Sequence, residues 1–132
     1  MLVFSFVFLG ARSYAQDVEL IEGEMVVTAR WVAENLPEDA LIAAHDIGAL
    51  GYYDDHELID LAGLISPEVV PFIRDEKQLE IYLNKHGADY IISFPEFYPS
   101  MTGDLEIVFV THNSSTTLLG RDNMAVYLWK SP

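Results

Sequence analysis

Apolar positions along this chain fall into blocks whose spacing changes, and the changes predict an alternation of helices and strands. Between Gln16 and Leu36, the residues Val18, Ile21, Met25, Thr28/Ala29, Val32 and Leu36 step by three and four, one apolar stripe on an α-helix. Glu19, Glu22, Glu24, Arg30 and Glu34 fall on its other faces. Pro37 disfavours helical geometry in the residue before it, so this long amphipathic helix is expected to stop at Asn35-Leu36.

The next blocks are short. Leu41-Ile42-Ala43-Ala44 is an apolar run bounded by Pro37-Glu38-Asp39 and His45-Asp46, the mark of a buried strand. Ile47 to Tyr53 carries two glycines and reads as a tight turn into a short helix, and Glu57-Leu58-Ile59-Asp60-Leu61 reads as a second strand. Ser66-Pro67-Glu68 has the N-cap and first-position proline of a brief helix. Asp75 caps a better one, in which Leu79, Tyr82, Leu83 and His86 share a face and Gly87 stands at the C-terminal cap.

Asp89 to Phe94 is a third strand, ended by Pro95. Leu105 to Val110 and Met124 to Trp129 are β-rich runs joined by a polar stretch, Thr111 to Asn123, too long for a tight turn. The expected fold class is α/β: a Rossmann-like three-layer unit of three mostly parallel strands, preceded by the long helix and extended by a C-terminal antiparallel pair.

The first residues stand apart. Met1 to Leu9 is apolar except for Ser5 and stops at Gly10-Ala11-Arg12, too short to span a bilayer, which takes about 20 apolar residues. One reading makes it a signal-peptide core with a small-x-small site at Ser13-Tyr14-Ala15, against which stands the lack of any preceding Lys or Arg. Another makes it the last two turns of a longer membrane helix, and a third a buried strand. The division expected is an apolar stub over residues 1–15 and a single soluble domain over 16–132.

Charge narrows the partners. Twenty-one acidic residues against seven basic ones give a net charge of −14, which repels phosphate backbones and anionic headgroups, so no nucleic-acid partner is expected. The acids are scattered from Asp17 to Asp122, as on a solvated surface. With no cysteine, disulfides, thiolate zinc sites and a thiol nucleophile are excluded.

Candidate chemistry gathers at His45-Asp46-Ile47-Gly48-Ala49-Leu50-Gly51-Tyr52-Tyr53, at the carboxyl end of the first strand, where open α/β sheets hold ligands. The GxxG spacing does not meet the dinucleotide fingerprint. His45 and Asp46 are either a base with its orienter, metal ligands, or a turn residue beside a helix cap, the last favoured because neighbours at a strand end point apart. Asp60, in the apolar segment that runs to Gly63, either shares a cleft with Asp46 and raises one carboxyl pKa or orders its loop.

Asp54-Asp55-His56-Glu57 reads as an exposed turn without calcium-loop spacing. Tyr90, Phe94, Phe97, Tyr98 and Tyr127 are either a carbohydrate platform or core and rim. Asn113-Ser114-Ser115 matches a glycosylation sequon by pattern, and His86 and His112 stand alone. No nucleophile elbow, zincin helix or phosphate loop is present, so no catalytic residue, metal or cofactor is expected.

Three segments, Ala29 to Pro37, His45 to Tyr53 and Ile59 to Leu64, in this order and spacing resemble the soluble region after the last membrane helix of bacterial GT-C class polytopic glycosyltransferases, relatives of mannosyltransferases that use polyprenyl-phosphate sugars. The resemblance covers roughly Tyr14 to Pro95. It implies a membrane helix ending in the stub, contact with the bilayer there, a cell-membrane location and an extracytoplasmic domain beside the membrane portion of a glycosyltransferase. The family's catalytic acid lies in an early loop with no counterpart in this chain. The resemblance therefore implies an accessory ligand or interface surface at His45, Asp46, Gly48, Gly51, Tyr52, Tyr53, Asp60 and Gly63, and no catalytic role.

Overall fold

The computed structural model describes residues 2–129, with side chains from Gly10 onward. Its first feature is one helix without a break: α1 (Leu2–Leu20), a π-helical stretch (Ile21–Val26) and α2 (Val27–Asn35). The helix ends at Asn35, where Leu36 turns extended at φ −89° and ψ 154° ahead of Pro37. The division expected at residues 15 and 16 falls inside α1.

The π-helical stretch changes which side chains face inward. A wide turn adds a residue and displaces the helical phase beyond it. Val18 and Ile21, expected on the apolar stripe, are exposed, whereas Glu24, Val26, Thr28, Ala29 and Val32 are buried. From Gly10 to Glu19 every residue is exposed, and α6 lies against this part of α1 through Asn113 and Ser115 at Glu19. Among the described residues no helix is long and apolar enough to cross a membrane.

Five strands form one mixed sheet: β1 (Leu41–Ala44), β2 (Glu57–Asp60), β3 (Tyr90–Ser93), β4 (Glu106–Val110) and β5 (Ala125–Leu128), in the order β2-β1-β3-β5-β4. β1 pairs in parallel with β2 and β3, while β5 lies antiparallel between β3 and β4. A register shift between Ile107 and Phe109 marks a bulge at the β4 edge.

Alternation along the strands feeds a core on each face. On one, Ala43, Ile59, Ile91 and Tyr127 meet Val69 of a 3₁₀ segment (Pro67–Phe72), Leu79 and Leu83 of α4 (Glu76–His86), and Met101 of α5 (Pro99–Thr102). On the other, Ile42, Ala44, Ile92 and Val126 meet Ala29 and Val32 of α2 and Leu50 of α3 (Leu50–Tyr53). Trp31 of α2 stacks on Phe109 of β4 at 4.5 Å and 11°.

Local signals hold at α4, where the Asp75 carboxylate accepts the Gln78 N–H and Gly87 closes the helix at φ 73°. Ser66 does not cap by its side chain as expected; its Oγ instead accepts the Asp60 N–H at 3.1 Å. Nor is Thr111 to Asn123 a plain connector. It contains α6 (Ser114–Leu118) and docks against the first helix.

Candidate functional site

β1 ends at Ala44 between β2 and β3, so the chain leaves the sheet at the point where the order of parallel strands reverses direction. His45 follows β1 and Glu96, Phe97 and Tyr98 follow β3. Together with Ile73, Arg74 and Glu76 at the start of α4 they line a cleft of about 510 Å³, within the usual range for small-molecule sites, about 300–1,000 Å³.

The polar geometry of the cleft is set by a buried phenol. Tyr98 is buried and its Oη lies 2.7 Å from His45 Nδ1. Burial raises its pKa above the ordinary tyrosine value, and the charges of Asp46, Asp60 and Glu76 add to the rise. The phenol therefore keeps its proton and holds the His45 ring through the hydrogen bond at Nδ1. Phe97 meets the His45 ring edge-on at 4.8 Å.

The carboxylates of the cleft are anchored. Glu76 Oε2 accepts the Met101 N–H at 2.8 Å, and Glu96 lies 3.6 Å from Arg121 Nε, whose guanidinium sits over Phe94. Arg74 has no ion pair among the described residues.

Neither Asp46 nor Asp60 lines this cleft. Asp60 is fully buried at the end of β2, where its carboxylate accepts the N–H groups of Ala62 at 2.8 Å, Ile65 at 2.9 Å and Leu64. It orders its own loop, the use a buried carboxylate has when backbone donors surround it. Asp46 is half-buried, makes no cap to α3, and acts on Tyr98 through its charge.

Of the glycines singled out, only Gly63 is required by its backbone: at φ 80°, an added Cβ would stand 2.6 Å from Val70 Cγ2. Gly48 and Gly51 adopt no left-handed conformation and have open space around them, so the tight turn expected from their spacing is an ordinary helical one. Tyr52 is exposed and packs edge-on against Tyr53, whose ring carries the Arg30 guanidinium at 4.9 Å. The eight residues are thus split between the cleft, the Asp60 loop and an exposed helix.

The run Asp54-Asp55-His56-Glu57 is not simply exposed. His56 Nδ1 lies 2.6 Å from Asp54 Oδ1 and Nε2 lies 2.7 Å from the Pro37 carbonyl, with the two side chains 6% and 1% accessible. Burial pulls the His56 pKa down, but the Asp54 hydrogen bond, the Pro37 carbonyl and the charges of Asp54 and Asp55 outweigh it and leave the value raised. Both nitrogens face acceptors, the arrangement of an imidazolium.

A second buried carboxylate, expected on a polar face of the helix, gathers as many donors as Asp60. Glu24, in the π-helical stretch, is fully buried; it accepts the Met124 N–H at 2.9 Å, the Asn123 side-chain amide at 2.8 Å and the Thr111 hydroxyl. Three donors from residues about a hundred positions away offset the cost of removing the carboxylate from water. The only local signal was a glutamate one position from glycine. Asn113 of the sequon is likewise engaged: its Oδ1 accepts the Ser115 N–H at 2.9 Å and its Nδ2 lies against Gly23.

Fold and site together define an α/β domain with a five-stranded mixed sheet, one switch-point cleft and buried acids that serve structure. The chain belongs to the family described as Domain of unknown function (DUF8728), whose model matches residues 11–127. No curated protein and no solved structure matches it.

Proposed function

We propose that this chain is a non-catalytic extracytoplasmic accessory domain of a membrane glycosyltransferase that draws sugar from a polyprenyl-phosphate donor, held at the membrane surface on α1. One observation carries the reading: the helix passes without a break from the apolar run Leu2–Leu9 into the core at Val26, Ala29 and Val32. A rigid helix between an apolar end and a packed domain fixes that domain at a set height above a bilayer.

Two further features support it. The segments that carry the resemblance lie together, with Ala29, Val32 and Leu50 in one core and the Leu61 N–H bonded to the Ala44 carbonyl at 2.8 Å. A Rossmann-like reading of residues 41–93 is supported by central β1 and its two parallel neighbours. With the Asp60 and Glu24 carboxylates held by protein donors, neither is available as an acid or base toward a substrate.

Fractionation tests the proposal. The full chain is expected in carbonate-washed membranes with its domain cleaved by protease added on the extracytoplasmic side, and crosslinking is expected to capture a polytopic glycosyltransferase. A soluble protein whose mature N-terminus is Gln16 sinks the reading.

That outcome favours a second one, a freestanding binding module, for which the specific observation is the switch-point cleft with its oriented His45 and unpaired Arg74. There, Tyr98→Phe is expected to weaken ligand binding without unfolding the domain, read by titration with a panel of small saccharides.

A further inference from the structure

The apolar end of α1 has a neighbour. Helix α6 lies alongside α1, held by the Ser115 hydroxyl donating to Glu19 Oε1 at 2.8 Å. At its end Leu118 and Leu119 are 86% and 58% exposed, and they share a cavity of about 300 Å³ with Arg12, Ala15, Gln16, Glu19 and Leu20 of α1. Like Leu64 and Ile65 elsewhere on the surface, they are an adjacent exposed apolar pair on a chain of net charge −14, but Leu118 and Leu119 lie beside α1.

Their height along α1 is informative. At about 1.5 Å per residue, the α1 residues of that cavity, Arg12 to Leu20, lie roughly 5–17 Å beyond Leu9. The interfacial zone of a leaflet is about 5–8 Å deep. If the apolar run ends at the hydrocarbon boundary, the Arg12 end of the cavity that Leu118 and Leu119 line lies in the headgroup layer. The other groups at that level suit it: Arg12 can meet phosphate, and Tyr14, 71% exposed, is of the type that gathers at membrane interfaces. The acids of this helix begin farther along, at Asp17, Glu19 and Glu22.

We infer that Leu118 and Leu119 form a second bilayer contact, seated in the headgroup layer of a zwitterionic leaflet beside α1. The inference rests on the proposed insertion of the Leu2–Leu9 end. Two contacts fix tilt as well as height, so the cleft at His45 would face the membrane system at one angle.

The test uses the full chain reconstituted from mild detergent into phosphatidylcholine vesicles. Because the chain has no cysteine, Leu118→Cys accepts a single environment-sensitive fluorophore. Expected are flotation of the wild type, a blue shift of the label on adding vesicles, and a fall of about tenfold or more in vesicle partitioning for Leu118→Asp/Leu119→Asp. Both sites are exposed, so that variant should melt like the wild type.

Flotation of the wild type with an unshifted label and an unaffected double variant overturns the second contact and leaves the α1 reading standing. Failure of the wild type to float sinks both. Loss of self-association in the double variant, with vesicle binding unchanged, makes the patch a contact between copies and overturns the inference.

Discussion

Gly23 and Asn113 occupy each other's space: a Cβ added to Gly23 would stand 2.2 Å from Asn113 Nδ2 and 3.0 Å from its Cγ. The contact joins the π-helical stretch to the start of α6. It fixes where the projecting helix leaves the domain.

Gly23→Ala is therefore expected to destabilise the fold by about 1–3 kcal/mol, the usual cost of overpacking, although the same change in an open helix stabilises by up to about 1 kcal/mol. Asn113 cannot simply swing away, because its Oδ1 caps α6. Urea denaturation of a double-mutant cycle checks this: in the Asn113→Ala background, Gly23→Ala should turn neutral or stabilising. Additive losses would show that the contact does not decide the packing.

Glu24 gathers donors from Thr111, Asn123 and Met124. Glu24→Ala leaves the buried Met124 N–H without its acceptor and the half-buried Asn123 amide with only the Asn113 carbonyl, and is expected to cost about 2–5 kcal/mol. Glu24→Gln, which sets an amide against the Asn123 amide, should cost about 1–3 kcal/mol. Denaturant midpoints measure both; a loss under 0.5 kcal/mol, the scale of an ordinary surface change, would contradict the clamp.

His56 gives a pH dependence whose sign follows from its raised pKa. Its contribution is complete below the ordinary value of 6.5 and is lost as pH rises through the folded value. Loss of the proton leaves Asp54 with no charged partner, and its Oδ2 already lacks a hydrogen bond. The stability difference between wild type and His56→Gln should shrink as pH rises above 6.5. A difference that grows over that range would reverse the assignment of an imidazolium.

Asp60 separates a structural carboxylate from a chemical one. Asp60→Asn retains one acceptor oxygen for three backbone donors and is expected to cost about 1–3 kcal/mol. Amide hydrogen exchange should speed up at Ala62, Leu64 and Ile65, while the His45 ring resonances stay in place. Undisturbed protection in that loop would contradict the role assigned here.

Candidate-site residues were legible to different depths. The position of His45 at a strand end followed from Leu41-Ile42-Ala43-Ala44 alone, because a short apolar run between polar bounds has few other conformations open to it. Its partner Tyr98, 53 positions away, did not. Nothing local distinguishes Tyr98 from Tyr90 until the sheet sets the direction of each.

By itself the sequence determined the elements whose causes lie within a few residues: the helix stop before Pro37, the Asp75 cap, the Gly87 turn, the five strands and the mixed character of their sheet. Only the tertiary structure decided the phase of the first helix, the burial of Glu24, the docking of Asn113 on Gly23 and the imidazolium clamp at Pro37. Each of these sets a polar group or a glycine against something distant in the chain. Local propensity acts through neighbours, whereas desolvation and close packing are settled by whatever the fold brings alongside.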